Sequence, residues 1–105
     1  MGFKTDFKEK KLILFLTDEF TIYDVGEAKI QILKYLDKAS FIEIRSDKLS
    51  RADTAGIQLI ISLVKTCIKK DIEIIMKKNS KIFDFASFPG NNLKTFLYER
   101  VKDHV

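Results

Sequence analysis

The segment of this sequence that stands out chemically is Ser50-Arg51-Ala52-Asp53-Thr54-Ala55-Gly56-Ile57. It places an acid, a hydroxyl, a small residue and a glycine at the start of an apolar run with helical spacing. Asp53 is suited to accept from the free backbone N–H groups of a first helical turn. Its charge also favours the positive end of the helix dipole. Thr54 offers a hydroxyl at the same mouth, and Ala55 and Gly56 keep the turn free of bulk. A glycine inside a helix costs about 1 kcal/mol relative to alanine. Gly56 therefore points to a close approach, by another backbone or by a partner. The spacing alone also fits an ordinary capped helix beside a tight strand crossing.

The remaining catalytic inventory is poor. The one histidine, His104, is the penultimate residue, where chains commonly fray. Cys67 is the only cysteine, and it falls on the inward side of a helical pattern with no histidine to activate it. No Cys/His/Asp group has metal-ligand spacing, so no metal is expected. Gly26, Gly56 and Gly90 are isolated and build no phosphate loop. The adjacent carboxylates Asp18-Glu19 fit a solvated turn. An enzyme or nucleotide-binding domain built on Asp18, Glu19 and Asp53 would need a deep pocket joining all three. The reading is of a protein that is not an enzyme and has no cofactor.

The elements that must position the segment follow from periodicity. With 105 residues, the chain (1–105) fits one domain. Phe3 to Lys8 alternates as a short half-exposed strand. Lys11 to Leu16 is a continuous apolar run, expected as a central strand buried on both faces. Glu9-Lys10 between them suggests a hairpin. Thr17 to Thr21 reads as a connector. Asp24, with Glu27 three residues on, is the expected cap of a first helix running to about Lys38. Val25, Ala28, Ile32 and Tyr35/Leu36 form its apolar stripe, widened by Ile30 and Leu33. Phe41 to Arg45 is the next strand and Ser46 to Ala52 a polar loop. Leu49 within it is either a plug beneath the loop or an exposed contact for a partner. The second helix runs from Thr54 to about Lys70 and buries Ile57, Ile60, Ile61, Val64, Cys67 and Ile68. Asp71 to Met76 is a strand, and Ser80 to Ser87 and Asn92 to Lys102 are helices. Alternating strands and helices imply an α/β fold, with a mixed, mostly parallel sheet of four or five strands. The few short helices would pack mainly on one face.

Net charge is +4, with lysines scattered at element ends rather than gathered in a stripe, so no nucleic-acid partner is expected. The longest apolar run is about six residues, far short of the roughly 18 of a membrane span. No signal-peptide pattern opens the chain. The expected location is the cytoplasm, with no membrane insertion. Oligomeric state is left open.

With these residues in place, the chain resembles the STAS family (sulphate transporter and anti-sigma factor antagonist). Leu14-Phe15-Leu16-Thr17-Asp18-Glu19-Phe20-Thr21-Ile22-Tyr23 is similar to the family's strand and "Gly-Glu-Leu-Thr" turn, with Asp18 for the usual glycine and Phe20 for leucine. Phe41-Ile42-Glu43-Ile44, Leu49, and then Asp53-Thr54-Ala55-Gly56-Ile57-Gln58-Leu59-Ile60 resemble its next strand and "Asp-Ser/Thr-Ser/Ala-Gly-Leu" helix start. Ile72-Glu73-Ile74-Ile75 with Ser80-Lys81-Ile82 resembles its last core strand and following helix. The resemblance implies a bacterial regulatory module in signalling that works by protein–protein interaction. The partner would be a kinase-like anti-sigma factor or, alternatively, the ATPase of an ABC-type lipid transporter. It also implies a docking surface at Leu49, Ser50 and Asp53 to Gly56. The family's usual phosphorylation acceptor falls at Ala55, which cannot be phosphorylated. Thr54 is the one hydroxyl inside the motif that could take its place.

Overall fold

The computed structural model describes residues 2–77, 81–82 and 102–104. Its element order is β1 (Phe3–Lys8), β2 (Lys11–Phe20), α1 (Ile22–Leu36), β3 (Phe41–Ala52), α2 (Thr54–Lys69), β4 (Glu73–Lys77) and β5 (Lys102–His104). The strands form one sheet in the order β1-β2-β3-β4-β5. β1 and β2 are antiparallel, and every later pairing is parallel. The expected α/β class and mixed, mostly parallel sheet are therefore present. β1 and β2 meet through Glu9 and Lys10, both left-handed (φ 52° and 65°), as a two-residue hairpin requires.

The two helices pack against each other and on one face of the sheet, α1 over β1 and β2, α2 over β3 and β4. This one-sided layering corrects the expectation for β2. Leu12, Leu14 and Leu16 lie fully in the core, whereas Lys11, Ile13 and Phe15, on the helix-free face, are only half-buried. A continuous apolar run thus behaves as an alternating strand, because among the described residues no helix covers its second face. On that face Glu43 is buried at 7 % exposure between two cations. Lys11 Nζ lies 2.8 Å from its Oε1, and Arg45 bonds its Oε2. The Arg45 guanidinium also lies over the Phe15 ring.

Both segments expected to be irregular are strands. Thr17–Phe20 continues β2, and Lys48–Ala52 continues β3 beside it, with register shifts after Phe15 and Asp18. Backbone pairing is indifferent to polar side chains, and Leu49 turns inward between polar neighbours. Asp18 sits at the second irregularity with φ 55°, a conformation that favours glycine.

α1 starts earlier than expected. Its cap is Thr21, whose Oγ1 accepts from the Tyr23 N–H at 3.3 Å. Asp24 is the third residue of the helix, and its Oδ2 accepts from the Thr21 N–H at 3.0 Å. Its Oδ1 also takes the Gly2 N–H at 3.1 Å, tying the N-terminus to α1. The buried stripe of α1 is Ala28, Ile32 and Leu36; Ile30 and Leu33 are exposed rather than widening it. Ile68 of α2 is likewise exposed, since it lies beyond the stripe that meets the sheet.

The helices expected over Ser80–Ser87 and Asn92–Lys102 fall largely outside the described residues. Ile82 is fully buried, and its N–H donates to the buried Ser46 Oγ at 3.1 Å. The backbone of Lys102–His104 pairs with Ile75–Lys77, so His104 is held in a strand by its backbone. Among the described residues, no helix is long and apolar enough to cross a membrane.

Candidate functional site

The β3–α2 junction is built around the Asp53 carboxylate. Asp53 is extended (φ −92°, ψ 179°), as a helix cap requires. Its Oδ1 accepts from the Gly56 N–H at 2.9 Å, and its Oδ2 accepts from the Ile22 N–H, also at 2.9 Å. Ile22 is the first residue of α1. One carboxylate therefore satisfies the N-termini of both helices and locks their mouths side by side. Partial burial pushes the Asp53 carboxyl up. The N–H groups of Gly56 and Ile22, together with the Arg51 charge, outweigh it and hold the group below the usual aspartate value.

Gly56 is buried against the end of β2. A Cβ there would collide with the Phe20 carbonyl oxygen. The Asp53 N–H donates to the same oxygen at 3.3 Å. The close approach inferred from sequence is thus to another backbone of the same chain.

The side chains of the segment divide sharply. Thr54 is exposed at the first position of α2, and Ala55 beside it is half-buried. Ser50 is exposed, but its Oγ donates to the Asp18 carbonyl at 2.6 Å, fastening β3 to the irregular end of β2. Leu49 is 4 % exposed and belongs to the core. Of its two readings, the plug is the observed one; as a direct contact it is corrected, because its side chain is spent supporting the strand from beneath.

Two residues that sequence reasoning missed adjoin this mouth. Ile22 and Tyr23, at the start of α1, are 58 % and 93 % exposed. Only Tyr23 carried a signal: it falls off the stripe of Val25, Ala28, Ile32 and Leu36, whereas Ile22, three residues before Val25, is in line with it. Beside them an open cavity of about 490 Å³ is lined by residues including Asp18, Glu19, Asp24 and Arg51. Asp53 does not line it. Glu19 is paired with Arg51 at 3.1 Å, and Asp24 is engaged in capping. This cavity thus brings Asp18 and Glu19 together without Asp53. The described residues also contain no cluster of three or more potential metal ligands.

This arrangement defines a class: a small α/β domain of STAS fold, whose second helix presents a capped, exposed N-terminus. Two solved structures of the anti-sigma factor antagonist SpoIIAA share that fold. The unphosphorylated form aligns at TM-score 0.69 and 14 % identity, over 98 % of this chain and 87 % of SpoIIAA. The phosphorylated form, described as a Bacillus cell fate determinant, aligns at TM-score 0.69 and 18 % identity, over 98 % and 91 %. No family model and no curated protein matches the sequence.

Proposed function

We propose that this chain is a protein-binding regulatory module of the anti-sigma factor antagonist kind, docking its partner through the mouth of α2. The observation that carries the reading is the exposed Thr54 on a helix end made rigid by Asp53. The surface comprises Asp53, Thr54 and Ala55, with Gly56 and the buried Leu49 shaping it from beneath. Ser50 forms its rim, and Ile22 and Tyr23 add an exposed apolar edge. Binding needs no chemistry from these side chains, and none of them forms a nucleophile–base pair.

A resemblance to a protein solved in phosphorylated and unphosphorylated forms supports control by phosphate at this place. Ala55 removes one acceptor and leaves Thr54. A phosphate there adds about −1.5 to −2 charge. The helix N-terminus accommodates that charge, while an acidic partner surface is repelled. The switch would thus act on the complex without unfolding the domain.

Co-purification from native cells, with mass spectrometry of the Thr54 peptide, tests the reading. A kinase-like anti-sigma factor is the expected capture. Capture of an ABC-type ATPase would assign the same surface to a cytoplasmic transporter subunit, the alternative that Ala55 favours. In binding assays with the captured protein, Thr54→Glu is expected to lower affinity at least about tenfold, on the scale of losing one well-placed interface contact. Its thermal midpoint should stay that of the parent. Equal binding by the variant would remove α2's mouth from the interface.

A further inference from the structure

β1 is an edge of the sheet, and β2 takes up only half of its backbone groups. The hairpin pairs Lys8 with Lys11, and at the far end the Thr17 N–H donates to the Gly2 carbonyl at 2.9 Å. Bonded positions alternate along an antiparallel strand. Lys4, Asp6 and Lys8 therefore turn their N–H and C=O groups toward β2. Those of Phe3, Thr5 and Phe7 point outward, and among the described residues no backbone group receives them. The side chains alternate as well. Phe3 meets Phe20 edge-on and Phe7 stacks on Tyr35, both on the helix side. Lys4 and Asp6 are exposed on the other face, opposite Phe15 and Ile13 of β2, which offer neither charge a partner. Among the described residues, neither forms an ion pair. Sheet edges are commonly guarded by lysines of one sign. Here an acid stands between Lys4 and Lys8, so the row is complementary to itself.

We infer that β1 pairs antiparallel with β1 of a second copy, joining two five-stranded sheets across a two-fold axis through Thr5. Thr5 then faces its own counterpart, and Phe3 faces Phe7 of the second copy. These are the residues with outward backbone groups, so they exchange the N–H···O bonds of the new ladder. Lys4 falls opposite Asp6 of the second copy, at a non-bonded position where side chains come closest. The two-fold repeats that pair. Opposite charges so placed stabilise a strand pair and like charges destabilise it, which selects the register. Sliding until Thr5 faces Phe7 sets Lys4 against Lys8 and Asp6 against itself. Sliding the other way, until Phe3 faces Thr5, sets Lys4 against itself. A register centred on Phe7 would match Asp6 with Lys8, but it needs Glu9 in the ladder, and Glu9 is left-handed in the turn (φ 52°). The contact is one strand wide, at the small end of specific interfaces. The dimer is therefore weak and concentration-dependent. This inference is independent of the α2 docking reading, because β1 is not part of that surface.

Sedimentation velocity of the intact chain over roughly three decades of concentration, up to about 1 mM, tests it. A shift from monomer to dimer is expected. Amide hydrogen exchange read by nuclear magnetic resonance at both ends of that range locates the contact. Phe3, Thr5 and Phe7 should gain protection with concentration, whereas Lys4, Asp6 and Lys8, already bonded to β2, should not. Lys4→Glu should weaken dimerisation about tenfold by setting carboxylate against carboxylate twice. The double variant Lys4→Glu/Asp6→Lys should restore it, because the charges are exchanged without loss of pairing. A monomer at every concentration, a dimer without added protection at Phe3, Thr5 and Phe7, or equal behaviour of the single and double variants would each overturn the inference. So would a chain that stays monomeric while an added extended peptide of unrelated sequence protects those three amides, since the edge would then belong to a different strand. Far-ultraviolet circular dichroism identical to the parent verifies that these exposed substitutions leave the fold intact.

Discussion

At the scale of single residues, two carboxylates do unequal structural work, and both make stability depend on pH. Asp53 bonds the first turns of two helices. Removing an N-cap costs about 1–2 kcal/mol, and here two helix ends lose their acceptor. Asp53→Ala should therefore lower the urea-denaturation stability by about 2 kcal/mol. Asp53→Asn, which keeps one acceptor oxygen, should lose less. Glu43 sits almost fully buried on the open sheet face. Burial pushes its carboxyl up, but the hydrogen bonds and charges of Arg45 and Lys11 hold it below the value of 4.5 for a free glutamate. A carboxyl whose folded value is depressed takes up a proton more readily when the chain is unfolded. Its stabilisation is complete above the free-chain value and disappears as pH falls through the folded one. Equilibrium unfolding is thus expected to be flat from neutral pH down to about 5 and to weaken steadily below 4.5. Glu43→Gln should flatten that acid limb. A limb of unchanged slope in the variant would show that other groups carry it.

At the scale of elements, the hairpin between β1 and β2 is the place where local geometry and residue type disagree. Glu9 and Lys10 both occupy left-handed conformations that suit asparagine and glycine. The double substitution Glu9→Asn/Lys10→Gly should raise stability by about 1 kcal/mol. Thermal unfolding monitored by circular dichroism reads that gain directly. The same kind of conflict at Asp18 marks the irregular end of β2. These conformations also bear on what could be read in advance. The hairpin was visible from two charged residues between two strand patterns. The long ends of β2 and β3 were not, because Thr17–Phe20 and Ser46–Ala52 are polar and pattern rules see polarity as loop. Their pairing comes from backbone bonds across β2 and β3, which no side-chain pattern records. The cap of α1 was misplaced by three residues for a related reason: Asp24 reaches back to the Thr21 N–H, and either residue would make a plausible start by type alone.

For the whole molecule, the one-sided packing of helices sets what is protected. Cys67 lies wholly inside, between α2 and the sheet, and burial pushes its thiol up to about 11. A thiol so placed is barely ionised at neutral pH and has no route to solvent. Labelling by a disulfide reagent should therefore follow opening of the fold, its rate rising with urea in step with the unfolded fraction. Rapid labelling in water, independent of denaturant, would contradict the packing around α2. The site itself was half legible. The spacing of Asp53, Thr54 and Gly56 identified the helix mouth, the hydroxyl and the close approach. It could not supply the bond from Asp53 to Ile22, because those residues are 31 apart and meet only when both crossovers are made.

The sequence by itself determined the order of the elements down to Lys77, the alternation that makes the sheet mostly parallel, and the capped start of α2. Each of these rests on neighbours within a turn or a strand, where side-chain period and backbone donors decide the outcome. Only the tertiary structure decided which apolar residues stay outside. Ile22, Ile30 and Leu33 are as hydrophobic as those within, but among the described residues the two helices lie on one face of the sheet and leave the far side of α1 exposed.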